Sequence, residues 1–264
     1  MDCTGYHVTI SKGGIPLTSL SQWERHAGPK SADQWVDDRS AKEVARAWLE
    51  GEGTRLPREV SSALIDCDAF GAVLRWEAEP EAKLRFDDFP GEPRNSDLVV
   101  YAEDSHGLYV MAVEAKADEP FGETVAETLA SALERHLENN RSKGVTRIER
   151  LATALFGPRR AGDPGLKDLR YQLLTACAGA VCEAERHGCV RALMLVHEFV
   201  TSKTFDDKHA RNAADLDAFV RRLSHRSVTS VRSGAVHGPF LVPGAPLLTT
   251  SVQLYIAKVS RHLR

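Results

Sequence analysis

Cysteine is scarce in this chain, and its arrangement excludes the common uses of thiols. Five of the 264 residues are cysteine, namely Cys3, Cys67, Cys177, Cys182 and Cys189. The number is odd and no CxxC pair occurs, so neither a disulfide framework nor a zinc knuckle is expected. Reduced, mostly buried thiols in a cytoplasmic protein are the expectation. No apolar run approaches the roughly 20 residues that span a bilayer, so no membrane association is expected. The opening stretch "MDCTGYHVTISKGG" has no basic region followed by an apolar core, so no secretory leader is read there. Aromatics make up 7% of the chain and form no stripe on which RNA bases could stack. There is no Walker loop, GxGxxG, GxSxG or HExxH, and the pair Gly13-Gly14 stands alone.

What is present describes an ordinary globular chain. Hydrophobic residues make up 42% and charged residues 27%, which argues against disorder. The net charge of −3 hides an asymmetry. Residues 141–264 hold 20 Lys and Arg against 10 Asp and Glu, while residues 1–140 hold 14 against 27. Either the charges are segregated by chance on solvated faces, or an acidic, cation-binding part adjoins a basic surface suited to a polyanion.

Residues 1–30 read as loop-rich. "SAKEVARAWLE" (40–50) reads as an amphipathic helix, with Ser40 as N-cap, Glu43 completing a capping box, and a buried stripe of Val44, Ala45, Trp48 and Leu49. "LPREVSSALIDC" (56–67) is a second helix with Pro57 in its first turn. Strands are expected at 72–79 and 82–89, separated by a turn at Pro80, and then at 96–104 and 108–117. Helices follow at 124–140, 146–157 and 166–187, the last ending at Gly188. "VRALMLVHEFV" (190–200) is nearly unbroken apolar, as a central strand covered on both faces would be. A helix at 213–224 and a strand at 252–260 complete the chain. The fold class is therefore α/β, a mixed central sheet flanked by helices. Residues 1–56 are read as an N-terminal helical and loop extension. Residues 57–264 are read as the main α/β domain, with its core at 57–200 and a C-terminal extension at 201–264, all in one compact unit.

Within "LYVMAVEAKADEPFG" a strand that starts as buried carries Glu114 and Lys116, two residues apart and therefore on the same face as Val110 and Ala112. Burying a carboxylate and an ammonium is costly unless they serve a purpose, because desolvation often exceeds the Coulomb gain. A hairpin of the two strands 96–104 and 108–117 puts Asp97 near Glu114. Two carboxylates at adjacent strand ends can hold a hard divalent cation, and a lysine on the same face can orient or deprotonate a water. A salt-bridged sheet surface is the plain alternative.

Asp97 followed by "EAK" at 114–116 on two adjacent strands resembles the PD-(D/E)XK nuclease superfamily, the restriction-endonuclease-like fold. Ser96 stands where the superfamily name has Pro, a position that varies. The superfamily core runs helix, three strands, helix, strand, and the matching pieces here would be 57–67, 72–79, 96–104, 108–117, 166–187 and 190–200. The strand at 82–89 and the helices at 124–157 would be insertions. The chain is also similar to an uncharacterised bacterial family sharing "SAKEVARAW", "VEAKADEPFG" and "RYQLL…HEF". The resemblance implies a Mg²⁺ (or Mn²⁺)-dependent nuclease acting on nucleic acid, with DNA preferred. Asp97 and Glu114 would hold the metal, Lys116 would orient the attacking water, and Gln172 on the later helix would assist. It also implies a carboxylate on the first core helix completing the metal site, for which Glu59 is the candidate. Oligomeric state, including a homodimer, is left open.

Leu169, Leu173, Cys177, Ala180 and Ala184 form the apolar stripe of that later helix, with Gln172 at its edge, and the small Ala176 and Gly179 permit a close approach to the sheet. Arg170, Arg159 and Arg160 are candidates for phosphate contacts, because guanidinium forks match phosphate geometry. His197 and Glu198, at the end of the apolar strand, are polar enough to border the site. Two other readings stand beside the DNA nuclease. One is a catalytically inactive nuclease-like fold that binds or scaffolds, and the other is an RNA or small-phosphoester hydrolase on the same scaffold.

Overall fold

The computed structural model describes residues 9–50 and 55–263. The chain runs β1 (Thr9–Lys12), β2 (Ile15–Pro16), α1 (Leu20–Ala27), α2 (Ser40–Leu49), α3 (Arg58–Ile65), β3 (Arg75–Leu84), β4 (Arg94–Asp104) and β5 (Gly107–Lys116). It continues with α4 (Val125–Glu138), α5 (Gly144–Leu155), α6 (Tyr171–Arg186), β6 (Arg191–Val200), α7 (Asp206–Leu223), β7 (Ala235–Phe240) and β8 (Gln253–His262). The strands form one eight-stranded sheet in the order β2-β1-β3-β4-β5-β6-β8-β7. β3, β4 and β5 are an antiparallel meander, and β5, β6 and β8 are parallel. The expected α/β architecture, a mixed sheet flanked by helices, is what the chain adopts. No helix among the described residues is long and apolar enough to cross a membrane.

Each face of the sheet carries its own core. α1, α2 and α3 bury Trp23, Val44, Trp48, Val60 and Leu64 against one face, where Met111, Val113, Leu193 and Leu195 point. α4 to α7 bury Ile148, Leu151, Leu173, Cys177 and Phe219 against the other, where Val110, Ala112, Ala192 and Met194 point. Being covered on both sides is why β6 is buried from Arg191 to Phe199 and reads as an unbroken apolar run. The four cysteines among the described residues are free, with Cys177 and Cys189 buried.

Several local expectations are corrected. Within the stretch 1–30, read as loop-rich, residues 9–12 form β1 beside β3 and residues 20–27 form α1, whose N-cap is Ser19, while residues 1–8 lie outside the described residues. No capping box forms at α2. Its N-cap is Arg39, and the buried Glu43 carboxylate instead takes the Asp38 N–H and the Arg46 guanidinium. The helix expected from 166 begins at Tyr171, because Leu169 O and Tyr171 N bond to the chain entering α4. Leu169 is nevertheless buried, as expected. The last long helix is α7, which starts at Asp206 rather than at 213.

The largest difference is at Pro80. The two strands expected on either side of it are one continuous strand, β3. A proline is tolerated there because β1 pairs with β3 only as far as Ala78, so the position needs no ladder bond on that edge. The irregularity shows in side-chain direction instead. Trp76 and Ala78 belong to the core under α1–α3, whereas Ala82 and Leu84, of the same parity, belong to the core under α4–α7. The change of face falls at Glu81, whose φ is +50°. A left-handed backbone at a non-glycine residue is uncommon, and such conformations concentrate at functional sites. Pro80 pairs with Leu98 and Ala82 with Ser96, so the residue across from Glu81 is Asp97.

Candidate metal and phosphodiester site

The β4–β5 ladder is in register up to Leu98 and Val113, and Asp97 and Glu114 are the next residues out. The Asp97 Oδ2 accepts the Ala115 N–H at 2.7 Å, so its carboxylate caps the end of the ladder and reaches across to β5. Val99 and Tyr101 on β4, like Val110 and Ala112 on β5, face α6. The alternation that places them there brings Asp97, Glu114 and Lys116 to the α6 side. α6 supplies Gln172, whose amide Nε2 donates to Glu114 Oε1. Asp97, Glu114, Lys116 and Gln172 all line one cavity of about 360 Å³, together with Glu81 and Glu119. The four residues singled out in the sequence therefore converge.

The cavity is roofed by the link between α1 and α2, through Pro29, Asp33, Gln34 and Arg39 to Ala41. The residues after the motif lysine hold that roof down. Asp118 is buried and takes Arg39 at 2.7 Å and Lys208 of α7 at 3.1 Å. Glu119 accepts Ser40 Oγ at 3.2 Å, and its backbone carbonyl accepts Asn212 Nδ2 at 2.8 Å. Phe121 lies under Lys116, with Nζ 5.4 Å from the ring centroid. "ADEPFG" is thus the anchor of the site's walls, and Gly122, at φ +67°, makes the turn that follows it.

Glu114 is the electrostatic centre. Its carboxylate meets Lys116 Nζ at 3.1 Å on Oε1 and the Arg94 guanidinium on Oε2. Burial alone would raise its pKa, but Lys116 and Arg94 outweigh that and hold it below the ordinary value. Asp97 goes the other way. Burial first, and the nearby Glu114 charge second, push its pKa up to about 7. Burial likewise raises Glu81 above the ordinary glutamate range. Lys116 remains charged, since its neighbours Glu114 and Asp97 overcome the burial that works against it.

Among the described residues no group of three or more His, Cys, Asp and Glu stands close enough to form an all-protein metal cage. The Asp97–Glu114 pair is a hard, oxygen-only donor set. It suits Mg²⁺, which is bound through one or two carboxylates and keeps several waters.

The family described as "Domain of unknown function (DUF6946)" matches residues 16–262. The chain belongs to that family. No curated protein and no solved structure matches it. In this DUF6946 chain the matched span takes in every residue of the cavity, its roof included.

Not all the sequence candidates belong to the site. Glu59 does not. It lies on α3, under the opposite face of the sheet, and its carboxylate is taken by His197 at 2.8 Å and Arg261 at 2.7 Å. His197 sits in the same network, fully buried, with Trp48 Nε1 donating to its Nδ1 at 3.3 Å. Glu198 pairs in register with Lys116 but is bound by His209, Lys258 and Ser260. It extends the polar end of the sheet beyond the cavity.

The three arginines do not line the cavity either. Arg170 is held by Asp215 at 2.8 Å and by the Gly122 carbonyl at 2.9 Å. Arg159 folds onto the Asp163 carbonyl, and Arg160 gives its backbone N–H to the Asp163 carboxylate. That carboxylate is packed against Arg222, near the C-terminal end of α7, whereas Lys208, near the other end, meets Asp118. A helix of 18 residues is about 27 Å long, so Arg159 and Arg160 lie well away from the cavity. Sequence reasoning missed Glu81, Arg94 and Glu119. Only Glu119 had a visible signal, its place directly after the motif. Glu81 and Arg94 arrive through the change of face in β3 and β4, which no periodicity announces.

Proposed function

We propose that this protein is a metal-dependent nuclease of the PD-(D/E)XK type, hydrolysing phosphodiester bonds in nucleic acid, with DNA as the preferred substrate, in a cytoplasmic setting. The observation that carries the reading is the convergence of Asp97, Glu114, Lys116 and Gln172 on one cavity at the ends of β4 and β5. The element order α3, β3-β4-β5, α6, β6 supports it, being the helix, three strands, helix, strand order of that superfamily. Asp97 and Glu114 would hold Mg²⁺ or Mn²⁺, which when bound polarises a phosphoryl oxygen and stabilises developing charge. Lys116, charged and on the same face, orients the attacking water. Gln172 fixes the Glu114 carboxylate from α6, and residues between 29 and 41 supply one wall of the cavity.

One observation favours a second reading, a catalytically silent fold that binds or scaffolds. Both Glu114 oxygens are already satisfied, by Arg94, Lys116 and Gln172.

The test is a cleavage assay on supercoiled plasmid, single-stranded DNA and RNA with Mg²⁺ or Mn²⁺, with Lys116→Ala as control. Cleavage of DNA that falls by about 10²–10³-fold in Lys116→Ala is expected, the usual cost of losing one electrostatic catalytic group. Gln172→Ala should lose about tenfold, the low end of what a positioning group contributes. Saturable Mn²⁺ binding with no cleavage of any of the three substrates would leave the binding role in place of the nuclease.

A further inference from the structure

Arg94 reaches the candidate site from a second cavity. This second cavity, of about 380 Å³, lies beside the site between the β3–β4 end of the sheet and α6, and its charged lining is Arg85, Arg94 and Arg147 together with Asp87, Glu92 and Glu123. Gln172 lines both cavities, and Arg94 lines only the second. From there its guanidinium reaches through to Glu114, while its Nη1 donates to Thr175 Oγ1 at 3.2 Å. The side chain is 7% exposed, and its Nε is buried with no hydrogen-bond partner among the described residues. A buried guanidinium with one N–H unsatisfied is not at its final optimum, since an unmade buried hydrogen bond carries a desolvation penalty. The other two cations lining this cavity are already committed, because Arg147 forks onto Asp87 at 2.7 and 3.1 Å and Arg85 donates to the Phe89 and Gly91 carbonyls at 3.0 and 3.2 Å.

A guanidinium and a divalent cation cannot share one carboxylate oxygen, since like charges a few ångströms apart repel strongly in a partly dry site. A cation that takes Glu114 Oε2, the oxygen Arg94 holds, must therefore dislodge Arg94. The side chain's stem already stands in the second cavity, so that is where the freed fork turns. Once there, it presents an unpaired planar donor array, the arrangement that grips a phosphate oxygen pair.

We propose that the second cavity is a phosphate subsite whose anion-binding residue is Arg94, held in reserve on Glu114 until a divalent cation displaces it. The inference rests on the cation site of the proposed function, and extends it by naming a second phosphate position, one that adjoins the scissile one. The coupling is reciprocal: the cation frees the arginine for phosphate, and phosphate holds the arginine off the cation's carboxylate.

The test uses the full chain and measures binding rather than turnover. Mn²⁺ is titrated calorimetrically into the parent, Arg94→Met and Arg94→Gln. Inorganic phosphate is then titrated with and without Mg²⁺. Both variants should bind Mn²⁺ tighter by about tenfold, within the usual range of coupling between sites. The parent should bind phosphate more tightly with Mg²⁺ present, and both variants should lose that enhancement. If Mn²⁺ binds the parent and the folded variants equally, Arg94 is no competitor and this inference fails while the cation site stands. If phosphate affinity in the parent ignores Mg²⁺, the subsite fails in the same way. If Mn²⁺ binds neither the parent nor either variant, the cation site itself is wrong, and the inference falls with it.

Discussion

Asp97 and Glu114 are neighbours in space, and their environments push them apart. Glu114 has two cations and stays ionised. Asp97 has one backbone N–H and a nearby negative charge, and its pKa rises to about 7. The consequence for stability has a definite sign. Between the ordinary aspartate value of 3.8 and about 7 the folded chain binds this proton more tightly than the unfolded chain does. Stability must then fall as pH rises through that window, and the loss is complete above it. Asp97→Asn removes the titration while keeping an oxygen for the Ala115 N–H. The variant should match the parent near pH 4 and become progressively more stable than it towards pH 7 and above. Urea denaturation at four pH values across that range measures the gap. A gap that does not change with pH would mean that Asp97 is solvated and ordinary.

At the scale of elements, α6 shows what was legible and what was not. Its apolar stripe and its contact with the sheet follow from helical spacing, whereas Gln172 is pointed to by the family resemblance, and its amide bonds Glu114 rather than the expected Lys116 or metal-bound water. The antiparallel pairing that joins Asp97 to Glu114 follows from alternation and a short turn. What could not be read is the crossing of β3 and β4 from one core to the other. Pro80 looks like a turn residue, and nothing local shows that a left-handed Glu81 carries the strand through. That crossing brings Leu84 and Arg94 under α6, so Glu81 and Arg94 were missed for a tertiary reason. Gly179 is the price of the close approach. A Cβ there would stand 3.1 Å from Leu84 Cβ and 3.6 Å from Arg94 Cδ. Leu84 Cβ is fixed to the backbone and has little room to give. Replacing a mid-helix glycine by alanine ordinarily stabilises by about 1 kcal/mol, whereas overpacking costs about 1–3 kcal/mol. Gly179→Ala should therefore be net destabilising, by up to ~2 kcal/mol on this balance, with a lower melting temperature. A raised melting temperature would show that α6 can lift off β3 without strain.

For the molecule as a whole, the charge asymmetry between the two parts of the chain has a structural answer that neither sequence reading contained. The basic part folds over the acidic part and pairs with it. Arg147 meets Asp87, Arg191 meets Asp104, Lys203 meets Asp38, Lys208 meets Asp118, and Arg261 meets Glu50 and Glu59. Five of the 20 Lys and Arg residues of the basic part are tied to the acidic part in this way, and of these Lys203 and Lys208 keep exposed side chains. The Arg191–Asp104 pair is the most buried of these. Arg191 forks onto both Asp104 oxygens at 2.7 and 2.9 Å, donates to the Ala69 and Gly107 carbonyls, and lies over the Phe70 and Tyr109 rings. Burial alone would raise the Asp104 pKa, but Arg191 and the Gly71 and His106 N–H groups hold it below the ordinary value. A carboxylate so depressed contributes stability that is fully present above its unfolded pKa and is lost as pH falls through its folded one. Arg191→Met should leave Asp104 buried with two backbone donors and no cation, a change that costs about 3–5 kcal/mol near neutral pH. Without the guanidinium the Asp104 pKa moves up, so acid lets the variant shed its uncompensated charge while the parent loses its pair. The gap in unfolding free energy between parent and variant should therefore be widest at pH 7 and narrow below about pH 4, where an unfolded aspartate protonates. Guanidinium chloride would mask that difference by screening, so the comparison is made in urea at pH 7 and pH 3. A gap of equal size at both would assign the loss to the packing of Arg191 on Phe70 and Tyr109 rather than to the charge that ties the two parts of the chain together.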